Sequence, residues 1–356
     1  MGGFKVVYEY ANYLVSQGDT VHIVHANLPD MHKPLLAHTK RDVMRLALRY
    51  IRFKATGEFR PDHWFKVDPA VKMSWAHTLK ATNIPDADVL ITSSWQTAEW
   101  AMTYPDTKGR CFYLIQHLET WSGPKHRVMN TWTIPLEKIV IAPWLQRLAA
   151  REGQECCLIP NGLDFNHFHQ HVPQEQRDAN QLLMLHHCVD WKGTADGLAA
   201  FAIARKTIPG LRLTMFGSNR FDGPLPDGVT FHHQPAQQHL IDLYNQAAIF
   251  VSPSWAEGWA LPPAEALMCG CALAVTDIGG HEAYARHEQT ALLSPVKDPE
   301  ALAANIVRLV LDENLRLKLS RQGHRLIQQF TWERAGQALR ELITSQPRAD
   351  RAIETA

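Results

Sequence analysis

Short apolar runs alternate along the whole chain with segments in which apolar residues recur at helical spacing. Short continuous apolar runs predict buried strands, and recurrence every three to four residues predicts helices. The predicted strands are 20–26, 89–92, 111–115, 138–142, 156–159, 182–189, 211–216, 229–232, 249–251, 272–275 and 291–293. The predicted helices are 5–16, 40–54, 194–207, 237–245, 263–268 and 299–311. Because strands and helices alternate, we expect an α/β fold with parallel sheets.

The alternation restarts after Pro160, which predicts two domains rather than one. We expect an N-terminal domain over 1–160 and a C-terminal domain over 161–330. A helix over 331–345 closes the fold, since Trp332, Ala335, Leu339 and Leu342 recur at helical spacing. Residues 346–356 are expected to be a frayed tail.

Composition and charge exclude several classes of function. With 356 residues, 46% of them hydrophobic, the chain can form two separate cores. The formal net charge is zero, so no basic field attracts nucleic acid. The six cysteines form no C-x-x-C pair and lie in or beside apolar runs, which predicts buried thiols in a reducing cytoplasm. No apolar run has the length of a membrane span, so we expect a cytoplasmic protein.

The segment 253–280 carries the clearest chemistry, reading P-S-W-A-E-G-W-A-L-P-P-A-E-A-L-M-C-G-C-A-L-A-V-T-D-I-G-G. Prolines favour the first turn of a helix, and Gly270 is suited to end one. The backbone N–H groups at such a helix start bind anions, with help from the helix dipole. Glu257 precedes this start, and Glu265 is expected in the first turn. A helix with ordinary acidic residues near its start is the alternative interpretation.

This segment resembles the E-x7-E motif of glycosyltransferase family 4, whose members are retaining enzymes of the GT-B fold. Five further stretches are similar to family motifs in order and spacing: Gly2–Gly3, I-P-N-G-L-D at 159–164, W-K-G at 191–193, G-G-H-E at 279–282 and T-W-E at 331–333. The resemblance implies two Rossmann-like, doubly wound domains that face a cleft. It also implies that a first N-terminal strand should precede Gly2, and this strand is missing from the sequence. We therefore expect Met1 to be an internal methionine of a longer protein, with a damaged gene product as the alternative.

The resemblance assigns roles to particular residues. Glu257 and His117 would contact the transferred sugar, and Glu265 would bind the ribose of the donor. Lys192 would hold the diphosphate, and His187 occupies the position of a family arginine. The glycine loop at Gly2 and Gly3 would contact the acceptor or a phosphate. The backbone at the helix start would also bind the diphosphate, through Gly258, Trp259, Ala260 and Leu261. The alternatives are an ordinary strand-end histidine for His117 and a solvated surface lysine for Lys192.

No metal and no other cofactor is expected, because cationic side chains and a helix dipole can stabilise a leaving diphosphate. The sequence also has no D-x-D motif. The histidines at 167, 169 and 171 alternate in a loop, which does not favour a metal site.

Two weaker patterns concern partners. In 40–54, Arg41, Arg45, Arg49 and Arg52 lie on one helical face, with Val43, Leu46, Ala47, Tyr50 and Ile51 toward the other. A basic amphipathic helix indicates peripheral contact with the inner face of the plasma membrane, and a solvated helix packed on its own domain is the alternative. Four tryptophans are candidates for a sugar-binding surface or for core packing: Trp95, Trp100, Trp121 and Trp132.

The sequence therefore predicts a retaining glycosyltransferase that moves a hexosyl or deoxyhexosyl group from a nucleotide-diphosphate donor to a glycan or lipid-linked acceptor. Surface polysaccharide synthesis is the expected setting. A non-catalytic nucleotide-sugar-binding or scaffold protein of the same fold is the first alternative. A second alternative is another enzyme on this fold, such as a nucleotide-sugar epimerase or a phosphorylase. An oxidoreductase is disfavoured, since no G-x-G-x-x-G follows a predicted strand.

Overall fold

The computed structural model describes residues 2–26, 40–62, 64–76 and 78–345. The helices are α1 Gly2–Ser16, α2 Lys40–Thr56, α3 Trp95–Ala101, α4 Lys125–Thr133, α5 Pro143–Arg151, α6 Thr194–Thr207, α7 Gln237–Gln246, α8 Leu261–Met268, α9 Pro299–Leu311, α10 Glu313–Ile327 and α11 Trp332–Thr344. The strands are β1 His22–Ala26, β2 Lys72–Ala76, β3 Val89–Thr92, β4 Arg110–Ile115, β5 Glu137–Val140, β6 Cys156–Leu158, β7 Gln181–Leu185, β8 Arg212–Gly217, β9 Val229–His233, β10 Ile249–Ser252, β11 Ala272–Thr276 and β12 Leu292–Ser294.

A six-stranded parallel sheet dominates the second half of the chain, in the order β12-β11-β10-β7-β8-β9. The chain builds β7, β8 and β9 toward one edge and then returns to add β10, β11 and β12 on the other side. Strands β7 and β10 therefore lie side by side where the strand order reverses. In doubly wound sheets, ligands bind beyond the carboxyl ends of the strands at such a switch point.

The core of this sheet explains why the strand segments are continuous apolar runs. Helices cover a parallel sheet on both faces, so its central strands have no solvent-facing side. Strand residues Met184, Met215 and Val251 are buried to 2% exposure or less. The same cluster includes Phe201 of α6 and Ile306 of α9. Each such side chain contributes about 1.5–3 kcal/mol on burial, which stabilises the sheet whose ends carry the candidate site.

The described residues form two compact units. One unit contains the residues up to Thr92, 96–112 and those from Trp332 on; the other contains 93–95 and 113–331. The domain boundary predicted at residue 160 was placed where the alternation of strands and helices restarts. It differs from this grouping and stays a prediction. In the first unit, strands β1 and β2 form a two-stranded parallel sheet. In the second unit, strands β5 and β6 pair in parallel.

Within the first unit, α1 packs on α11, the helix in the range predicted to close the fold. A Cβ at Gly336 would lie 2.3 Å from the Tyr13 ring, so a side chain there would push the two helices apart. Arg340 of α11 donates to Asp19 through Nε, with an Nε–Oδ2 distance of 2.8 Å. The predicted tail at 346–356 lies outside the described residues.

The predicted α/β alternation is confirmed, and several details are corrected. Strand β2 and helices α3, α4, α5 and α10 were not predicted. Lys72 and Ser74 interrupt the apolar residues of β2, and the strand is only half-buried. Gly2 and Gly3 are the first residues of α1 rather than a loop before it. None of the helices in the described ranges combines the length and apolarity needed to cross a membrane.

The prediction of buried thiols holds for Cys269 and Cys271 and is wrong for Cys188, which is exposed. Cys188 lies beyond the end of β7, where the chain leaves the sheet. All six cysteines are free thiols.

Helix α2 leaves several of its apolar residues exposed. Ile51 is 62% exposed, together with Met44 and Leu48 of the same helix. Phe53 of α2 contacts β2: its ring meets the Trp75 ring edge-on, with centroids 4.8 Å apart. The side chains of Val43 and Leu46 lie outside the described part of the chain.

Candidate functional site

The switch point of the six-stranded sheet holds an ion pair between Lys192 and Glu257. Lys192 follows β7 and Glu257 follows β10, so the pairing of these strands brings the two segments together. The Lys192 Nζ lies 2.7 Å from Oε1 and 2.8 Å from Oε2 of Glu257. Ser254 Oγ donates to Oε1 at 3.0 Å. The side chains are 24% and 14% exposed, so solvent screens this pair less than a surface pair.

Gly193 lets the Lys192 segment approach the loop after β10. It adopts the left-handed conformation, with φ +68°, which a residue without Cβ accepts at no steric cost. A Cβ at Gly193 would lie 2.1 Å from the Pro253 carbonyl oxygen. The W-K-G motif thus needs its glycine so that the lysine can reach Glu257.

Three glycines bring further backbone close to Glu257. A Cβ at Gly258 would lie 1.9 Å from the Gln116 carbonyl oxygen, and one at Gly280 would lie 2.3 Å from Glu257 Cβ. A Cβ at Gly279 would lie 2.3 Å from the Trp144 ring. The loops that contain these residues therefore pack with no space for a methyl group.

Trp144 and its helix hold these loops in position. The indole N–H of Trp144 donates to the Gly258 carbonyl at 2.9 Å. One turn further along α5, Arg147 forms a bidentate pair with Glu282, at 2.7 and 2.6 Å. Sequence reasoning missed both residues, because α5 lies far from the E-x7-E segment along the chain and neither residue forms part of a local motif.

His117 packs against this cluster. Its imidazole Cδ2 would be 3.3 Å from a Cβ at Gly258, and its Nδ1 accepts the backbone N–H of Leu118 at 2.8 Å. This bond leaves the proton of the neutral ring on Nε2. Burial lowers the pKa of His117 to about 4, with Glu257 opposing the shift and Lys192 adding to it. His117 is therefore neutral near pH 7.

Helix α8 begins at Leu261, two residues before the predicted start. Pro262 and Pro263 occupy its first turn, and Gly270 follows its end with φ +82°, as predicted for a terminating glycine. Because the helix begins earlier, Glu265 is its fifth residue and does not lie in the first turn. Glu265 Oε2 instead accepts the hydroxyl of Tyr244 at 3.0 Å. Burial raises the pKa of Tyr244, so the phenol keeps its proton.

The remaining predicted residues have distinct surroundings. Trp259 is 5% exposed and packs against Tyr284 at 5.1 Å and Phe330 at 5.7 Å, so its side chain belongs to the core. The backbone N–H of Ala260 donates to the Gly280 carbonyl at 3.0 Å. His187 Nδ1 accepts the Val189 N–H at 3.1 Å. Burial lowers the pKa of His187, and the Lys192 ammonium lowers it further, so this histidine supplies little positive charge at pH 7.

His281 was not singled out from the sequence, although it lies in the G-G-H-E stretch. It is 1% exposed, and its Nδ1 lies 2.8 Å from the Thr276 carbonyl while Nε2 lies 3.2 Å from Ser252 Oγ. It therefore links the ends of β10 and β11 beneath the loop of Gly279 and Gly280. Among the described residues, no three His, Cys, Asp or Glu side chains are grouped in a way that would hold a metal ion.

Residues 167–326 match the family model for glycosyl transferases group 1. This range includes Lys192, Glu257 and Glu265, and it excludes His117. A glycogen synthase of Mycobacterium tuberculosis is 24% identical over 327 residues, which cover 87% of this chain and 75% of that protein. A D-inositol 3-phosphate glycosyltransferase of Saccharomonospora viridis is 31% identical over 134 residues. That match spans 37% of this chain and 31% of the relative, and the match to the Streptomyces bingchenggensis protein of the same name spans 28% of its length.

Solved structures agree with the fold. Sucrose-phosphate synthase from Thermosynechococcus elongatus superposes with a TM-score of 0.66 at 18% identity, covering 94% of this chain and 91% of that one. An Anabaena protein in complex with UDP-glucose superposes with a TM-score of 0.61 at 15% identity, covering 73% and 79%. The predicted GT-B fold is confirmed by these neighbours. For residues 167–326, the match to the glycosyl transferases group 1 model agrees with the prediction of a glycosyltransferase.

Glu119 is a further carboxyl group near His117 that sequence reasoning missed. Its Oε2 accepts the backbone N–H of Trp95 at 2.9 Å. Burial raises the pKa of Glu119 to about 7, against the opposing effect of that hydrogen bond. The unfolded chain releases this proton near pH 4.5, whereas the folded chain holds it until about pH 7. The raised pKa therefore makes the free energy of unfolding fall as pH rises through this window.

We expect Glu119→Gln to remove this fall in the free energy of unfolding, because glutamine does not titrate. The variant should exceed the wild type in free energy of unfolding by about 2–3 kcal/mol at pH 8 and by much less at pH 4.5. Urea unfolding at both pH values measures the difference. Glu300→Gln, at an exposed position in the first turn of α9, serves as the control and should change little at either pH. Equal effects of Glu119→Gln at the two pH values would contradict the raised pKa.

Proposed function

We propose that this protein is a retaining glycosyltransferase of family 4 that transfers a sugar from a nucleotide-diphosphate donor to a glycan or lipid-linked acceptor, in surface polysaccharide synthesis. One observation carries the proposal: Lys192 and Glu257 meet at the switch point of a doubly wound sheet, next to the start of α8. A cation and a helix N-terminus suit a diphosphate. A shielded carboxylate beside them suits developing positive charge on a sugar.

The donor diphosphate would bind between the Lys192 ammonium and the backbone at the start of α8. Lys192 pairs with Glu257 in the structure. A bound diphosphate would take over this cation and release the carboxylate toward the sugar. Glu265, further along the same helix, would accept the ribose hydroxyls of the donor. Two structural neighbours, the Anabaena protein and a Staphylococcus aureus protein, were solved with UDP-glucose and with UDP respectively, which supports a nucleotide donor.

In the transfer step, the bond from the anomeric carbon to the diphosphate oxygen would break while the acceptor oxygen bonds to that carbon on the same face. The acceptor proton would pass to the departing phosphate oxygen. Glu257 would stabilise the positive charge that develops on the sugar, and neutral His117 would donate from Nε2 to a sugar hydroxyl. Lys192 and the dipole of α8 would stabilise the leaving diphosphate without a metal ion.

A thermal-shift screen against nucleotide sugars and free nucleoside diphosphates tests the donor site. A ligand at about a hundred times its dissociation constant adds roughly 2.7 kcal/mol of stability. We expect one donor to raise the melting temperature of the wild type and Glu265→Ala to lose most of that shift. Glu300→Ala, at an exposed position of α9, is the control and should keep it. If no nucleotide stabilises the wild type, the proposed donor site is wrong.

A donor that stabilises the protein without being consumed would favour the non-catalytic alternative. Release of nucleoside diphosphate that requires an acceptor separates a transferase from an epimerase. Release of a sugar phosphate in the presence of inorganic phosphate would instead identify a phosphorylase.

We also propose that the protein is cytoplasmic and that α2 contacts the inner face of the plasma membrane, so that the protein binds peripherally there. Met44, Leu48 and Ile51 are 63%, 60% and 62% exposed, and their spacing puts them on one stripe of the helix. The exposed arginines Arg41 and Arg45 follow next to this stripe. An apolar stripe beside a basic one matches an anionic lipid surface, since acyl chains accept the former and headgroups the latter.

Sedimentation with phosphatidylglycerol vesicles tests this contact. The double variant Leu48→Glu, Ile51→Glu should bind at least about tenfold less than the wild type, because it removes apolar burial and adds negative charge. Leu311→Glu is the control, since Leu311 is 69% exposed at the end of α9. Equal binding of the double variant and the control would refute the contact.

A further inference from the structure

Trp121 has an exposed aromatic face next to the candidate site. Of the tryptophans in the described ranges, Trp121 alone is among the exposed large hydrophobic residues, at 43%. By contrast, Trp95 and Trp132 are fully buried. A tryptophan presents a large apolar face together with a polar N–H group, and tryptophans are enriched at interfaces for this reason. Its exposure distinguishes Trp121 from the other tryptophans that the sequence singled out.

The surroundings of Trp121 form an aromatic surface rather than a single ring. The Trp121 ring meets the His117 ring edge-on, with centroids 4.3 Å apart and planes at 87°. It lies 5.8 Å from the Trp191 ring, with planes at 35°. Trp191 directly precedes Lys192, so this surface adjoins the Lys192–Glu257 pair through His117 on one side and Trp191 on the other.

Both tryptophans are held by hydrogen bonds of neighbouring residues. The Trp191 carbonyl accepts the backbone N–H of Trp255 at 2.7 Å. The loop of Trp121 is attached to Trp95, whose indole N–H donates to Ser122 Oγ at 2.9 Å. A Cβ at Gly123 would lie 2.3 Å from the Trp95 ring, so the loop packs directly on that buried side chain. A surface fixed in this way loses little conformational entropy when a ligand binds.

We propose that Trp121 and Trp191 form an acceptor subsite in which an aromatic side chain stacks on a pyranose ring. The part of the acceptor that receives the transferred sugar is then itself a carbohydrate. This inference rests on the proposed transferase function. Aromatic faces are apolar and electron-rich, and the C–H faces of a pyranose ring match them while its hydroxyls remain available for hydrogen bonds. The donor carries an aromatic base of its own, but its ribose is assigned above to Glu265. Trp121 lies on the His117 side of Glu257.

Direct binding of oligosaccharides tests the subsite without requiring turnover. Tryptophan fluorescence and saturation-transfer NMR would be recorded with maltotriose, chitotriose and a rhamnose-containing disaccharide, with glycerol as a polyol without a ring. The wild type should bind at least one oligosaccharide and not glycerol. Trp121→Ala should weaken that binding about tenfold, whereas Trp121→Phe should keep most of it. Met102→Ala is the matched control, since Met102 is also 43% exposed.

The outcomes separate this subsite from the proposed function. Loss of oligosaccharide binding in Trp121→Ala, with the nucleotide-dependent thermal shift unchanged, supports the subsite. Loss of the nucleotide shift instead would mean that Trp121 stacks on the donor base, which overturns the proposal. Unchanged oligosaccharide binding in Trp121→Ala, or no binding of the panel by the wild type, also overturns it. Failure of the proposed function appears independently, as the absence of any nucleotide shift in the wild type.

Discussion

Glu257→Gln should lower the turnover number of sugar transfer about a thousandfold, because it removes the shielded negative charge that would stabilise the transition state. The same change deprives the Lys192 ammonium of its partner, from which it lies 2.7 and 2.8 Å. A diphosphate then meets an unoccupied cation, so the affinity for the donor should stay equal or rise. A collapsed turnover number with a preserved Michaelis constant for the donor is the expected signature.

Steady-state assay of nucleoside diphosphate release, with donor and acceptor varied separately, measures both quantities. Glu300→Gln is the control, because Glu300 is an exposed glutamate of α9 that lies outside the site. If Glu257→Gln transfers sugar at the wild-type rate, Glu257 has no part in the chemistry. A lower melting temperature alone would assign Glu257 a structural role as the partner of Lys192.

Gly258→Ala should have the second largest effect. Its Cβ would lie 1.9 Å from the Gln116 carbonyl oxygen, and backbone on both sides leaves no flexible side chain to move away. The loops must separate, at a cost of about 1–3 kcal/mol in the free energy of unfolding. Because Glu257 is the adjacent residue, a displacement on the order of 1 Å should lower transfer about a hundredfold.

Gly210→Ala is the matched control for this substitution. A Cβ at Gly210 has no heavy atom within 4 Å, so the change should alter stability by less than about 0.5 kcal/mol. Urea unfolding and the transfer assay would be run on both variants in parallel. Wild-type activity and stability in Gly258→Ala would contradict the close packing of the Gly258 loop on the Gln116 segment.

Elements with strong local signals were predicted closely. Helices α6 and α9 have the predicted bounds, since Pro299 is favoured in a first turn and apolar residues recur at helical spacing through both segments. Helix α10 was missed because charged residues interrupt its apolar positions, and its packing against α8 supplies the burial that stabilises it. The predicted start of α8 was two residues too late. Because the helix begins at Leu261, Glu265 does not lie in its first turn.

The sequence by itself determined the α/β alternation, the segment that forms the loop and helix after β10, and the identity of the charged residues around it. These depend on neighbouring residues: apolar periodicity, prolines at a helix start and a glycine after its end. The resemblance to a family then singled out Lys192 and Glu257 separately.

Only the tertiary structure decided that Lys192 and Glu257 pair, although 65 residues separate them along the chain. The same holds for the Trp144 N–H on the Gly258 carbonyl and for the exposure of Trp121 while Trp95 is buried. The physical reason is that strand order and loop packing depend on contacts between segments distant in sequence. Local patterns decide which residues form a strand, and the burial of helices against both faces of the sheet decides which strands become neighbours.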